Sequence, residues 1–285
     1  MDYQPIIIIG APRSGTNMLR DILCQFNGVG TWPCDEINYI WRHGNIHQET
    51  DEFSTDMVQP KVKDFIRKEF DDFASINNLT FLVEKTCANS LRVPFVDQII
   101  PNAKYIFIVR DGVDVAGSAT IRWKAKLDIP YLFKKVRYVP IVDLPYYGFR
   151  YIGNHIHKFF SKENHLLFWG PRFLGLNTAL KNLSLEEVCA LQWQRCVDLS
   201  ERAFDRMSEE KIIKINYEEF VNNPVEVLEQ ILNQFQIQHT YDQLKESVKN
   251  VRATSIGKGR QAFNEVELKA VIELISDTLK RHGYE

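Results

Sequence analysis

The stretch Ile6-Ile7-Ile8-Ile9-Gly10-Ala11-Pro12-Arg13-Ser14-Gly15-Thr16-Asn17-Met18-Leu19-Arg20 decides the fold. Its run of β-branched residues reads as a strand buried on both faces. A glycine-bounded loop follows, then a helix start. In that order the loop N–H groups and the positive end of the helix dipole converge on an anion. The segment therefore predicts phosphate binding at a strand end of an α/β sheet. It departs from the nucleotide-triphosphate loop G-x-x-x-x-G-K-[ST]. Gly10 and Gly15 keep the spacing, but Thr16 stands at the lysine position and Asn17 at the Mg²⁺-hydroxyl position, while a cation comes earlier, at Arg13. Such a loop is expected to hold phosphate without the parts for Mg²⁺-assisted phosphoryl transfer. By itself it is also compatible with an ordinary turn.

Working outward, further short apolar runs bounded by polar residues predict strands at Pro5–Ile9, Thr80–Glu84, Lys104–Val109 and Lys211–Ile215, with another near Leu166–Trp169. Helical patterns alternate with them, which predicts βαβ units and a mainly parallel sheet. Ser184 with Glu187 and Asn264 with Glu267 fit capping boxes. Asn223-Pro224 supplies an N-cap before a proline at the first helical position. Apolar stripes run through Lys61–Ile76 (Val62, Phe65, Ile66, Phe70, Phe73) and the last helix (Val266, Ala270, Val271, Leu274, Ile275, Leu279). The stretch 129–172 is dense in aromatic residues, proline and glycine without a clear period. It is expected to be an insertion over the sheet edge, either gripping an acceptor or serving as an aromatic flap.

The 285 residues are 45% hydrophobic and 25% charged, enough for one domain with a sizeable core. A net charge of −2 disfavours a nucleic-acid partner and means that any polyanionic cofactor needs a locally basic site. The cysteines Cys24, Cys34, Cys87, Cys189 and Cys196 form no C-x-x-C pair, which predicts reduced thiols, no zinc and a cytoplasmic location. No basic n-region precedes the first strand, and no apolar run approaches the ~18 residues of a membrane span, so neither a signal peptide nor a transmembrane segment is expected.

Two more basic elements follow. Arg110 ends the Tyr105–Val109 strand pattern, at the carboxyl end where open α/β sheets place ligands. Ser118 and Arg122, four apart on the following helix, share a face. Arg110, Ser118 and Arg122 can surround one anion, or Arg110 can pair with Asp111 or Asp114. The loop Arg252-Ala253-Thr254-Ser255-Ile256-Gly257-Lys258-Gly259-Arg260 interleaves glycines and cations. Its N–H groups, Lys and Arg can wrap a phosphate, or it can be a solvated basic loop.

These segments, in this order from residue 6 to 260, resemble the PAPS-dependent sulfotransferases, most nearly the tyrosylprotein and carbohydrate branch. Arg13, Ser14, Gly15, Thr16 and Asn17 look like the family's 5′-phosphosulfate loop. Arg110 through Ser118 looks like its 3′-phosphate element. The Asn216–Pro224 segment resembles R-Y-E-D-L-x-x-x-P, whose tyrosine, here Tyr217, lies by the nucleotide, and Ser255, Lys258, Gly259 and Arg260 resemble the last nucleotide-binding loop. The resemblance implies a single α/β domain over 1–285, a three-layer parallel sheet of phosphate-loop type. It also implies PAPS as sulfuryl donor with no metal required.

Sulfuryl transfer of this kind depends on in-line positioning, neutralisation of the leaving phosphate and a base for the acceptor. By resemblance, Lys85 matches the lysine that contacts the transferring sulfuryl, and Arg13 neutralises the leaving group. The histidine base of the small-molecule branch is replaced by Cys87, which reads as a buried thiol. Glu36 matches the carboxylate base of the tyrosylprotein branch, with Asp35 as second candidate; an ordinary loop carboxylate or helix cap is the plain alternative. His155 and His157 read as surface or packing residues. The expected acceptor bears a hydroxyl: first a glycan or glycolipid, otherwise a small alcohol, a phenol or peptide tyrosine.

Overall fold

The computed structural model describes residues 3–124, 140, 143 and 170–284. Its centre is a five-stranded sheet of β1 (Gln4–Ile9), β2 (Val29–Gly30), β3 (Phe81–Glu84), β4 (Lys104–Val109) and β5 (Ile212–Asn216), in the order β2-β3-β1-β4-β5. Every pairing is parallel, with Ile7 beside Glu84, Ile9 beside Phe107 and Val109 beside Asn216. The carboxyl ends of β1, β3, β4 and β5 therefore open on one rim, and that rim carries the Gly10–Gly15 loop, Lys85, Arg110 and Tyr217.

The isoleucine run explains the layering. Ile6, Ile7, Ile8 and Ile9 are all fully buried, and successive side chains enter opposite cores. Ile6 and Ile8 pack with α1 (Thr16–Leu23) and with the later helices at Tyr217–Asn222, Pro224–Gln234 and Tyr241–Val248. Ile7 and Ile9 pack with α3 (Pro60–Ile76), α4 (Val93–Ile99), α5 (Gly112–Lys124), the long helix Leu185–Phe204 and the last helix Glu265–Arg281. Each buried isoleucine contributes roughly 1.5–3 kcal/mol of transfer free energy. A short α2 (Asn38–Trp41) and a helix at Leu176–Asn182 complete the helical set among the described residues. In chain order the five helices after Leu176–Asn182 are α7 to α11, with Leu176–Asn182 as α6.

Four strand expectations hold to within one residue at each end. The one near Leu166–Trp169, like His155, His157 and most of the 129–172 insertion, lies outside the described residues. The fifth strand is instead β2, a two-residue segment too short to show periodicity. Both expected capping boxes form, at Ser184 and at Asn264. Asn223 differs: Pro224 does open α9, but the Asn223 side chain makes no cap hydrogen bond. Val266 also departs from its stripe, at 80% exposure, because it lies in the first turn of α11, before the helix reaches the core. No helix among the described residues is long and apolar enough to cross a membrane.

Candidate active site

The chain leaves β1 for α1 on one face of the sheet and leaves β4 for α5 on the other. The crevice between those two strand ends is the topological switch point where open α/β sheets bind ligands. Gly15, at φ 87, turns the loop into α1, and a Cβ there would lie 2.6 Å from the Tyr217 ring, so only glycine fits. No side chain caps α1 and its first turn holds no acid. Arg13 sits at φ 72, an unusual backbone setting for a residue with a side chain. It sends its guanidinium across the crevice, where Nε donates to Ser118 Oγ at 2.9 Å. Arg110 donates from Nη1 to the Arg13 carbonyl at 3.1 Å and from Nη2 to the Ser255 carbonyl at 2.7 Å. Its guanidinium lies over the Tyr217 ring, 4.4 Å from the centroid. The Tyr217 and Ser255 hydroxyls are 2.5 Å apart.

Arg13, Ser118, Arg110, Tyr217 and Ser255 are thus brought together. Arg122 belongs to the same field: lost hydration lowers the Arg13 pKa, and the neighbouring Arg122 and Arg110 charges lower it further. Like charges gathered in this way call for an anion. Two buried polar atoms, Ser14 Oγ and Arg110 Nε, have no hydrogen-bond partner and flank the Arg110–Arg13 contact. A phosphate oxygen is the acceptor that such donors suit, so these residues fit a nucleotide phosphate.

The second basic loop is organised differently from its sequence reading. The N–H groups of Gly257, Gly259 and Arg260 donate to Asp114, at 2.6, 2.8 and 3.3 Å, so an internal carboxylate already holds them. The Arg260 guanidinium pairs with Asp111, Nη2 to Oδ2 at 3.0 Å. Lys258 is exposed. Both readings of Arg110 hold at once, because Nη2 also lies 3.5 Å from Asp114 Oδ2. Asp114 and Asp111 anchor this loop, whereas in the sequence they stand out only as partners for Arg110. Their roles depend on contacts more than 140 positions away in the chain.

At the ends of β1 and β3 a second group assembles. Lys85 Nζ lies 3.1 Å from Glu36 Oε1, and the Cys87 N–H donates to the same oxygen at 3.3 Å. Thr16 Oγ1 stands 3.8 Å from Cys87 Sγ. Burial, the largest influence, would lower the Lys85 ammonium pKa, but the charge and hydrogen bond of Glu36 together with the charges of Cys87 and Asp35 outweigh it and the net shift is upward. Burial pushes the Cys87 thiol up to about 12, which makes it a poor nucleophile or base. The Glu36 segment is pinned on both sides: Ile37 N donates to Thr86 Oγ1, and buried Arg92 donates to Asn38 Oδ1 at 2.5 Å. Asp35 is drawn toward Arg20, Nη1 to Oδ1 at 3.5 Å. Asn17 is exposed at the start of α1. Among the described residues no group of three or more His, Cys, Asp or Glu could hold a metal ion.

A family model described as the sulfotransferase family matches residues 5–167. Comparison with curated protein sequences finds no match. Among solved structures, the chain is similar to the sulfotransferase domain from the curacin biosynthetic pathway, at 14% identity over 99% of this chain and 98% of that one, TM-score 0.54. It is also similar to the sulfotransferase domain of the Synechococcus PCC 7002 olefin synthase, at 15% identity over 100% and 96%, TM-score 0.56. A third is the mouse sulfotransferase SULT7A1 complexed with PAP, at 16% identity over 97% and 85%, TM-score 0.51. At such identities the likeness is one of fold.

Proposed function

The chain belongs to the sulfotransferase family, and on that premise we propose that it acts as one domain and moves a sulfuryl group from PAPS to an acceptor hydroxyl. The observation that carries the donor reading is the pair of unpartnered buried atoms, Ser14 Oγ and Arg110 Nε, within a cluster of three arginines at the switch point. When bound, PAPS supplies the activated sulfuryl group and a phosphate leaving group. The chain's part is to hold the nucleotide and handle the proton. Ser14, Gly15, Thr16 and Asn17 offer the loop and helix start to the 5′-phosphate, and Arg13 adds positive charge. Arg110, Ser118, Arg122, Tyr217, Ser255 and Lys258 surround the 3′-phosphate, while Gly259 and Arg260, whose N–H groups Asp114 already holds, shape the loop that carries Lys258.

Glu36 is the base in this reading: a partly exposed carboxylate, fixed by Lys85 and the Cys87 N–H, that can accept the proton of an acceptor hydroxyl. Lys85 holds Glu36 and faces the transferring group. Asp35 is less suited, since Arg20 engages it. A glycan or glycolipid hydroxyl is the acceptor we favour, with small alcohols, phenols and peptide tyrosine as the arms of an acceptor panel. A cytoplasmic setting is supported by the absence of disulfides among Cys24, Cys34, Cys87, Cys189 and Cys196.

The test is calorimetric titration of 3′,5′-ADP and of ATP, with Mg²⁺ and again with EDTA. Micromolar or tighter 3′,5′-ADP binding that is indifferent to EDTA, with weak ATP binding, is the expected result. A preference for Mg·ATP overturns the donor reading.

A further inference from the structure

We propose that Asp114 is the positioning residue of the 3′-phosphate site: a buried carboxylate that takes up the N–H groups of the 257–260 loop and so fixes the cations that meet the ligand. The proposal rests on reading that site as the 3′-phosphate site.

Asp114 lies in the first turn of α5 and is fully buried. Its Oδ2 accepts from Gly257 N at 2.6 Å, and its Oδ1 from Gly259 N at 2.8 Å and Arg260 N at 3.3 Å. Backbone and helix are in direct contact here. A Cβ on Gly117 would fall 2.1 Å from the Gly259 carbonyl oxygen, and a Cβ on Gly259 would fall 2.2 Å from the Asp114 carbonyl oxygen. Gly259 is buried against the helix by that approach, so loss of the carboxylate would leave its N–H buried and unpaired, and the part-buried N–H groups of Gly257 and Arg260 would lose the same acceptor. The constraint continues outward. The loop's Ser255 carbonyl accepts from Arg110 Nη2, whose Nε is the unpartnered donor of the crevice. Asp111 holds the Arg260 side chain while Asp114 holds its backbone.

Charge and geometry make opposite predictions about this residue. By charge alone, a carboxylate beside an anion site weakens binding, and its removal would tighten the nucleotide. By geometry, its removal releases the loop and with it the placement of Arg110 and Lys258. Compact, multiply satisfied packing of this kind favours the second.

The experiment compares wild type and Asp114→Asn by calorimetric titration with 3′,5′-ADP and with 5′-AMP, which lacks the 3′-phosphate. The variant is expected to lose at least tenfold of the preference for 3′,5′-ADP while its 5′-AMP affinity stays within threefold. A preference that is unchanged or enlarged in a folded variant overturns the proposal and leaves the donor reading standing. A wild type with no preference for 3′,5′-ADP overturns that reading and the proposal with it. Hydrogen exchange of the nucleotide-free wild type, resolved at single amides, needs no variant. Gly257, Gly259 and Arg260 are expected to be protected at least a hundredfold, and unprotected exchange there overturns the proposal.

Discussion

Glu36 holds one carboxylate oxygen 3.1 Å from Lys85 Nζ and within reach of the Cys87 N–H. A base held by two donors keeps its aim, and its loss should appear in the chemical step. Glu36→Gln is expected to lower kcat by at least a hundredfold while 3′,5′-ADP affinity changes by less than threefold, since Glu36 bonds Lys85 and the Cys87 N–H and is assigned to the acceptor rather than to the nucleotide phosphates. Steady-state kinetics with calorimetry on the same protein check this, and an unchanged kcat removes Glu36 from the chemistry. At this scale the sequence was informative where a residue type is rare in its setting. Arg13 in a glycine loop, Arg110 at a strand end and Lys85 after another each stood out. Asp114 did not, because a carboxylate near the start of a helix is an ordinary favourable feature. Its partners lie at Gly257, Gly259 and Arg260, and no local pattern links them.

Among the elements, the end of β3 buries charged groups side by side, Glu84 and Lys85. Glu84 is 1% exposed and accepts from Asn89 Nδ2 at 2.9 Å. Burial pushes its carboxyl up to about 7 from an ordinary value near 4.5, although contacts from Thr86 and Trp41 and the charges of Lys85 and Arg92 work against the rise. Between those two values the folded protein holds a proton that the unfolded chain has released. Stability contributed by this group is therefore present at low pH and is lost as pH rises through about 7. Glu84→Gln removes the titration. Thermal unfolding from pH 5 to pH 8.5 is expected to show the wild type losing on the order of 1–3 kcal/mol relative to the variant. Parallel curves would mean that Glu84 titrates normally.

Strand and helix boundaries were legible for a related reason: burial on both faces demands unbroken apolar runs, and β1 and β4 show them without interruption. Ser184 and Asn264 announced their helices through a box pattern that depends on residues three apart. Thr240 with Gln243 makes a third box that the sequence reading did not single out. β2 carried no readable pattern, being held in the sheet only by pairing with β3.

For the whole molecule, the described structure is tied together far along the chain. Tyr284 accepts from Asn216 Nδ2 at 2.6 Å and donates to Glu218 Oε2 at 2.7 Å, while Glu218 Oε1 accepts from Asp111 N at 3.1 Å. Burial, with Glu218 beside it, pushes the Tyr284 phenol well above its usual range, so it stays a hydroxyl donor at any ordinary pH. Tyr284→Phe is expected to lower unfolding stability in urea by about 1–2 kcal/mol, with no change in the slope against denaturant. Saturation with 3′,5′-ADP at about 100 times its Kd should add back roughly 2.7 kcal/mol, enough to outweigh the loss. A variant as stable as wild type would show that the Asn216–Glu218 pair stands without the phenol. None of these ties could be read in advance, since each joins segments whose approach only the finished sheet determines.

The brevity of β2 also bears on how the protein behaves in a crowd. An exposed edge strand is a template on which another chain can add itself. Here one margin of the sheet ends in a two-residue stub, Val29–Gly30, which offers too few free backbone groups to seat a stranger. The opposite margin is β5, where Lys214 projects an exposed charge and the chain turns directly into a capped helix after Asn216. Among the described residues, the same economy that leaves the sheet small gives one border too little length and the other an exposed charge, two features that disfavour self-addition and filament growth.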